Sequence, residues 1–171
     1  MKKDRKNIIL ESLAAMLEEK NMSKITTASL AEKSNITEAA LYRHFPSKRS
    51  IYAELFSFCD DTIFAKCNEL KKEKISAQEK VKKIFIFFML FIEKNKGFAR
   101  LLSREALSSA EQNVSDNVNQ FYERFELVLR QMLKEDEKNL TTQAGISAQL
   151  IITVLEGNIG RYIRSKFKDS P

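Results

Sequence analysis

The sequence contains little of what tight turns, disulfide frameworks and metal sites require. Its 171 residues include four glycines, two prolines, two cysteines and one histidine. Because Gly and Pro build most tight turns, their scarcity indicates few turns and favours an all-α chain. Cys59 and Cys67 are eight positions apart on one predicted helix. That spacing separates them by about 12 Å, too far for a disulfide bond, so both are interpreted as packing residues.

The motifs that enzymes and metalloproteins use are also missing from the sequence. It has no Gly-rich phosphate loop and no group of Cys and His residues at metal-ligand spacing. The single histidine, His44, has no partners in a recognisable catalytic triad. We therefore predict a protein that is not an enzyme and that uses neither a metal nor another cofactor.

No stretch of the sequence predicts a membrane segment or a signal peptide. The longest apolar run is IFIFFMLFI at Ile84–Ile92, well short of the about 20 residues that span a bilayer. The basic segment Lys2–Lys6 is not followed by the apolar run of a signal peptide. We expect Ile84–Ile92 to form a fully buried helix in a cytoplasmic protein that has no membrane partner.

Positive charge is concentrated in the first third of the chain. The formal net charge is +6 and the sequence pI is about 9.3. Residues 1–50 hold ten Lys and Arg against six Asp and Glu, which accounts for +4 of the total. A basic N-terminal third indicates a nucleic-acid partner, although Lys-rich surfaces also serve solubility alone.

Helix-capping residues and apolar spacing predict helices along the whole chain, with no strand pattern. Thr26 or Thr27, Thr37, Ser47 and the capping box Ser76-x-x-Glu79 mark helix starts, and Thr141 or Thr142 opens the last helix. The predicted helices cover roughly 4–20, 27–33, 37–44, 48–71, 76–95, 98–109, 114–132 and 142 onward. We divide the chain into a helix-turn-helix domain at 1–47 and a helical dimerisation and partner-binding domain at 48–171.

The segment TASLAEKSNITEAALYRHF, from Thr27 to Phe45, has the pattern of a helix, a sharp turn and a second helix. Ser34 and Asn35 lie at the turn, where a left-handed backbone is usual and Asn is well tolerated. This is the pattern of a helix-turn-helix, whose second helix enters the major groove of DNA.

The second helix of this motif carries side chains suited to DNA. Its first residues, where base edges are met, are Thr37, Glu38 and Ala39. Its last residues are Tyr42, Arg43 and His44, whose hydroxyl, guanidinium and ring N–H groups donate to phosphate oxygens. A core position for Tyr42 is the alternative interpretation.

The helix that begins after Ser47 supplies a further predicted phosphate contact. Its free N–H groups and positive dipole favour an anion. Lys48 and Arg49 lie in its first turn, where the dipole disfavours cations. We therefore interpret Lys48 as a phosphate ligand, with a purely solvated position for both residues as the alternative.

A 3.5-residue apolar period predicts a helix pairing near the C-terminus. The seam residues are Val114, Val118, Phe121, Phe125, Val128 and Met132. Gly157 and Gly160 on the last helix permit close approach, and Arg161 lies beside them. We predict a homodimer through a four-helix interface formed by Val118, Phe121, Phe125, Val128, Met132, Gly157, Gly160 and Arg161.

The segment ITTASLAEKSNITEAALYRHFPSKRSIYAELF resembles the DNA-binding domain of TetR-family regulators, and LYRHF-x-SK is its most specific part. The resemblance implies an all-α fold with an N-terminal three-helix helix-turn-helix domain and a C-terminal helical dimerisation domain. Asn35 stands where the family commonly has Gly. The positions that match DNA-facing residues of the family are Thr27, Thr37, Ala39, Ala40, Tyr42, His44 and Lys48.

The segments EKNKGFARLL, NQFYERFELVLRQML and EGNIGRYIRSKFK are similar to the nucleoid occlusion factors within this family. That likeness implies a nucleoid-associated homodimer that binds palindromic sites on double-stranded DNA, engages the division protein FtsZ and blocks ring assembly. It also implies a short further helix after the segment matching SKFKDSP. The implied FtsZ-binding positions lie between the helices that start at Ser47 and Ser76, and they are Phe58, Lys66, Phe87, Lys94 and Asn95.

Two departures affect this implied FtsZ groove. Lys66 and Lys94 replace arginines, which keeps the charge but loses the bidentate fork, and Leu90 stands in place of a small glycine. The alternative function is a conventional TetR-family repressor that responds to a small apolar ligand held among the phenylalanines at 85–91. Because these bulky residues fill space, we predict no sizeable ligand cavity beneath them.

Overall fold

The computed structural model describes residues 4–19, 25–107 and 111–171. Within these ranges the chain forms α-helices joined by short loops and one 3-10 turn at Glu137–Asn139, which confirms the all-α prediction. The helices are α1 (Arg5–Glu18), α2 (Thr27–Lys33), α3 (Glu38–His44), α4 (Lys48–Lys71), α5 (Ala77–Lys94), α6 (Lys96–Leu102), α7 (Gln112–Lys134) and α8 (Ala144–Arg164).

Most helices begin where the capping residues predict. The Thr26 hydroxyl accepts a hydrogen bond from the Ser29 N–H at 3.1 Å, which opens α2. The Thr37 hydroxyl caps α3 in the same way. The predicted capping box at α5 is present, since Ser76 and Glu79 each bond the other's backbone N–H at 3.3 Å. These side chains satisfy N–H groups that a helix start leaves without intrahelical partners.

Two predicted helix boundaries are wrong. The helix expected at 98–109 ends at Leu102, because the chain turns at Arg104, whose φ of 64° lies in the left-handed region. Residues 108–110 lie outside the described residues. The last helix begins at Ala144 instead of at Thr141 or Thr142, and the Glu137 carboxylate accepts the Ala144 N–H at 3.2 Å.

The chain divides into two compact units, the first formed by residues 1–59 and 95–115. Here the short helices α1 to α3 pack with the start of α4 and with α6. Arg100 of α6 is buried and donates to the Leu17 carbonyl at 2.9 Å and to the Glu19 carbonyl, at the end of α1. A cation there complements the negative end of the α1 dipole. The helix-turn-helix is therefore held by residues far beyond position 47.

The second unit, residues 60–94 and 116–171, is built around an aromatic cluster. Its members are Phe64, Phe88, Phe121 and Phe125, with ring centroids 5.5 to 6.3 Å apart. These are the offset and edge distances that aromatic pairs prefer. The cluster joins α4, α5 and α7 into one core.

The cluster corrects the predicted dimer seam. Val118, Phe121, Phe125 and Met132 are fully buried within a single chain, and Val128 is half-buried. The apolar period on α7 identifies a stripe that must be covered, but not what covers it. The covering helices include α4 and α5 of the same chain, so these four side chains are core residues and are not available to a second copy.

The prediction that Ile84–Ile92 forms a fully buried helix is wrong. Ile84, Phe88 and Ile92 lie in the core, whereas Ile86 and Leu90 are about half exposed. Nine consecutive apolar residues point to every side of a helix, and one core covers only part of that circumference. Across the described residues, no helix has both the length and the apolar character needed to cross a bilayer.

Candidate DNA-binding and partner-binding surfaces

The turn before α3 has the predicted left-handed geometry. Asn35 adopts φ of 54°, which its short polar side chain tolerates at low cost. Behind it, Leu30 and Ala31 of α2 and Leu41 of α3 are buried against each other's helices. This packing fixes α3 relative to α2 and leaves the opposite face of α3 to solvent.

The exposed face of α3 carries most of the predicted base-contacting residues. Thr37, Glu38 and Ala39 are exposed at its N-terminal end. Ala40 is buried, with 5% of its surface exposed. The assignment of Ala40 as a DNA-facing side chain is therefore wrong, because its methyl group packs against the other helices of the motif.

The C-terminal end of α3 presents its polar side chains outward. Tyr42 is 48% exposed, so the alternative of a core position is wrong. Its hydroxyl lies 3.4 Å from the Thr27 hydroxyl at the start of α2, which places the two predicted contacts side by side. Arg43 is exposed and His44 is half-buried, while Phe45 is buried and anchors the helix end.

Two serines cap the start of α4. The Ser47 hydroxyl accepts from the Ser50 N–H at 3.1 Å, and the Ser50 hydroxyl accepts from the Ser47 N–H at 3.2 Å. Ser47 therefore caps the helix as predicted. Because the Ser50 N–H already bonds the Ser47 hydroxyl, fewer backbone N–H groups at this helix start remain for an anion.

Lys48 has a partner that sequence reasoning missed. Its Nζ lies 3.5 Å from a carboxylate oxygen of Glu111 and 5.3 Å from the centre of the Tyr52 ring. Burial, and secondarily the charge of Glu111, raise the pKa of Tyr52 far above its ordinary value. Nothing in the local sequence around Lys48 signals this contact, because Glu111 is distant along the chain.

Two of the predicted FtsZ-binding residues share a cleft in the first unit. Phe58 and Asn95 line a mostly apolar cleft of about 350 Å³. Phe58 is 55% exposed and stacks on Phe98 at 5.9 Å between ring centroids. The other residues of the cleft, on α1, α4 and α6, were not predicted, and they are Asn7, Leu10, Glu11, Ala14, Leu55 and Phe98.

Two further predicted FtsZ-binding residues meet in the second unit. The Lys66 ammonium lies 5.9 Å from the centre of the Phe87 ring, within the range of a cation–π contact, and 2.8 Å from Glu69. Lys94 is exposed at the C-terminal end of α5. The same end is held by the Tyr162 hydroxyl, which donates to the Glu93 carbonyl at 3.2 Å.

The exposed face of α8 carries an apolar stripe that is not among the predicted interface residues. Ile146, Leu150 and Val154 are each about half exposed, and Gly157 follows at the next turn. An added Cβ at Gly157 would meet no heavy atom within 4 Å. On α7, Leu127 is also exposed. The signal was present in the sequence as a second helical period on α8, offset from the buried one.

The predicted glycine positions on α8 differ in their surroundings. At Gly160 an added Cβ would lie 3.0 Å from the flexible end of Arg164. Arg161 is exposed, and its guanidinium lies 3.5 Å from the Ser170 carbonyl. Gly157 and Arg161 are therefore both accessible on the exposed side of α8.

Comparison with known proteins agrees with this geometry at both ends of the chain. Residues 9–55 match the family model described as bacterial regulatory proteins, tetR family. Residues 76–171 match a SlmA-like model described as tetracyclin repressor-like, C-terminal domain. Together the two models cover the helix-turn-helix and most of the helices that follow it.

Relatives are similar over almost the full chain. A nucleoid occlusion factor SlmA from Marinomonas sp. is 35% identical over 174 residues, which are 99% of this chain and 88% of the relative. The nucleoid occlusion factor SlmA of Vibrio campbellii is 36% identical over 175 residues, 99% of this chain and 89% of the relative.

Solved structures share the fold at lower identity. A TetR transcriptional regulator from Legionella pneumophila superposes with a TM-score of 0.75 at 21% identity, covering 96% of this chain and 90% of that one. The regulator FadR from Bacillus subtilis, solved with stearoyl-CoA, gives a TM-score of 0.78 at 14% identity, with coverage of 96% and 90%. With both family models matched and relatives above one-third identity, the chain belongs to the TetR family of non-enzymatic DNA-binding regulators and carries a SlmA-like C-terminal domain.

Proposed function

We propose that this protein is a nucleoid occlusion factor, which binds palindromic chromosomal sites as a homodimer in the cytoplasm and inhibits FtsZ ring assembly there. The observation that carries this proposal is the extent of the likeness to nucleoid occlusion factors. It reaches 35% identity over 99% of the chain, and a SlmA-like model matches residues 76–171, outside the DNA-binding domain. A likeness confined to the helix-turn-helix would have supported DNA binding alone.

The DNA-binding part of the proposal uses the exposed face of α3. In this proposal Thr37, Glu38 and Ala39 meet base edges, while Tyr42 and Arg43 contact phosphates. The exposure of all five residues supports these roles. The excess positive charge of residues 1–50 supports this assignment, because phosphate neutralisation supplies most of the sequence-independent affinity.

In the proposed dimer, the interface is formed mainly by α8 and not by the buried seam residues of α7. Ile146, Leu150 and Val154 form an exposed apolar stripe along one helix face, and such a stripe favours burial against another helix. Gly157 at the end of the stripe lets a facing backbone approach closely. Exposed Leu127 of α7 supplies the second helix of the expected four-helix contact.

The proposed partner-binding residues are an apolar cleft in the first unit and two cations in the second unit. The cleft beside Phe58 and Asn95 suits an apolar side chain of an extended FtsZ tail. Lys66 and Lys94 suit acidic groups of an FtsZ tail, and each is a point charge without the bidentate fork of arginine. Leu90, half exposed on α5, changes the local shape relative to a glycine.

The interior of the second unit favours this proposal over a ligand-responsive repressor. A repressor of that kind holds its ligand inside the helical domain, in a pocket lined by apolar and a few polar groups. Here Phe64, Phe88, Phe121 and Phe125 pack directly on one another. This direct packing of four rings between α4, α5 and α7 supports the proposal over a ligand-responsive repressor.

The test is charge reversal at both cations, Lys66→Glu with Lys94→Glu. Affinity for a fluorescent FtsZ C-terminal peptide, measured by anisotropy, is expected to fall at least about tenfold, because two attractive contacts become repulsive. DNA affinity and the dimer should stay unchanged. The matched control is Lys134→Glu with Lys138→Glu, which makes the same charge change at exposed positions outside the proposed surface. Peptide binding that is undiminished, or reduced equally by the control, would contradict the proposed surface.

A further inference from the structure

A buried carboxylate lies beside a lysine at the proposed DNA surface. Glu111, immediately before α7, is 3% exposed, and one of its oxygens lies 3.5 Å from the Lys48 ammonium. Lys48 itself is 31% exposed, so its charged end is accessible from solvent. The ammonium also lies 5.3 Å from the centre of the ring of Tyr52, a buried residue.

Glu111 attracts the Lys48 ammonium but does not form a short hydrogen bond with it. Charge-assisted N–H···O bonds have donor–acceptor distances of about 2.7–2.9 Å, whereas the Lys48 to Glu111 distance is 3.5 Å. The attraction at that distance is substantial because the carboxylate is shielded from water. A phosphate that approaches the exposed side of Lys48 therefore meets an ammonium whose charge is already partly compensated.

We propose that Glu111 and a DNA phosphate compete for Lys48, so that Glu111 is a positioning residue that limits the strength of DNA binding. This inference rests on the proposed role of Lys48 as a phosphate ligand. If Lys48 turns to the phosphate, the ion pair between Lys48 and Glu111 is lost. If Lys48 keeps both contacts, the carboxylate lies close to the phosphate and repels it. In both arrangements the negative charge of Glu111 weakens the phosphate contact.

The competition also changes the salt dependence of DNA binding. A lysine that neutralises one phosphate releases DNA counter-ions and adds about 0.9 to the slope of log K against log salt. When the lysine leaves a carboxylate to do so, that carboxylate regains a cation, and the two effects oppose each other. Lys48 therefore contributes less than one full contact to the slope while Glu111 is present.

The test compares the wild-type protein with Glu111→Gln and with the double variant Lys48→Ala, Glu111→Gln. For Glu111→Gln, we expect DNA to bind about three- to tenfold more tightly at low salt, with a salt slope steeper by up to about 0.9. Adding Lys48→Ala should remove this gain and lower the slope by about 0.9. Binding is measured on one duplex across a KCl series, with the fold checked by circular dichroism.

The control is Glu54→Gln, which removes an exposed carboxylate from α4, the helix that carries Lys48. It should leave affinity and slope near the wild-type values. If Glu111→Gln fails to fold, Glu111→Met replaces it. The remaining cation is not left buried and uncompensated, because the Lys48 side chain is 31% exposed to water.

Three results overturn the inference, and they are distinguishable. Unchanged or weaker DNA binding by folded Glu111→Gln, with still weaker binding and a lower slope in the double variant, shows that Glu111 does not oppose the phosphate. A gain that persists in full in the double variant shows that Glu111 acts without Lys48. Equal affinity and slope for the two variants, with no gain over the wild type, show that Lys48 is not a phosphate ligand and remove the premise itself.

Discussion

Replacing Gly97 with alanine probes the close crossing of α6 and α1, which fixes the helix-turn-helix to the chain beyond it. A Cβ at this position would lie 2.7 Å from the Ala14 carbonyl oxygen and 3.1 Å from the Leu17 Cβ. Ordinary carbon–oxygen contacts begin near 3.3 Å, so the two helices must separate by about 0.6 Å. The nearest atom belongs to the α1 backbone, which cannot rotate away as a flexible side chain could.

The expected cost follows from two opposing effects. Overpacking of a tight contact costs about 1–3 kcal/mol, while alanine in place of glycine favours the helix by up to about 1 kcal/mol. Because position 97 lies in the first turn of α6, only part of that gain applies. We expect Gly97→Ala to lower the free energy of unfolding by about 1–2 kcal/mol, measured as a shift of the urea midpoint at constant m-value.

The matched control is Gly157→Ala on α8, where an added Cβ meets no heavy atom within 4 Å. Here the helix gain should raise the free energy of unfolding of the isolated chain by up to about 1 kcal/mol, while the crowded dimer contact should weaken. Sedimentation at the same protein concentrations separates the two effects. If Gly97→Ala matches or exceeds the wild-type stability, the close crossing of α1 and α6 is refuted.

Three further predictions concern the dimer, the buried thiols and DNA recognition. Leu150→Glu with Val154→Glu should convert the dimer to monomers in sedimentation at micromolar concentration, because two carboxylates would be buried in an apolar contact. Burial raises the pKa of the Cys67 thiol to about 11, so below that pH the unreactive protonated form dominates. Alkylation of Cys67 should therefore be negligible at neutral and mildly alkaline pH until urea unfolds the chain. Tyr42→Phe should weaken binding to all duplexes about equally, as competition assays would show, because it removes a phosphate donor.

Each of these predictions has a clear contrary result. An undissociated dimer in the double glutamate variant would exclude the α8 stripe as the interface. Rapid alkylation of Cys67 in the folded protein would contradict its burial. A change in the order of preferred duplexes with Tyr42→Phe would mean that Tyr42 reads bases and does not only contact the backbone.

Helix starts could be predicted from the sequence because their causes are local. Thr26, Thr37 and Ser76 each bond a backbone N–H three residues along the chain, and that spacing is visible in the sequence. The left-handed turn at Asn35 was predictable for the same reason, since only Gly and Asn occupy it at low cost. The start of α8 was not, because its N–H partner is Glu137, in a separate 3-10 turn.

The burial of the seam on α7 could not be predicted from its period. A 3.5-residue repeat shows that Phe121 and Phe125 need cover, but covering helices from the same chain and from a partner leave the same pattern. The structure covers them with Phe64 and Phe88 of their own chain. The exposed apolar stripe of α8 is therefore the candidate dimer interface.

Contacts between segments that are distant along the chain could not be predicted from the sequence pattern either. The pairing of Lys48 with Glu111, and the presence of Leu10 and Glu11 of α1 in the cleft beside Phe58, depend on how distant segments pack. Their residue types are ordinary for exposed helix positions. Charge and periodicity therefore predicted which helix faces DNA, while the contacts made by Lys48 and Phe58 required the three-dimensional arrangement.

The most direct test of the proposed function is retention of full-length FtsZ by the immobilised protein, with and without a duplex that the protein itself selects from chromosomal fragments. The proposal predicts that FtsZ is retained when the selected duplex is bound, that less is retained without it, and that FtsZ lacking its C-terminal tail is not retained. Failure to retain FtsZ with the selected duplex present, while DNA binding and dimerisation are intact, would contradict nucleoid occlusion and leave a TetR-family regulator of another kind.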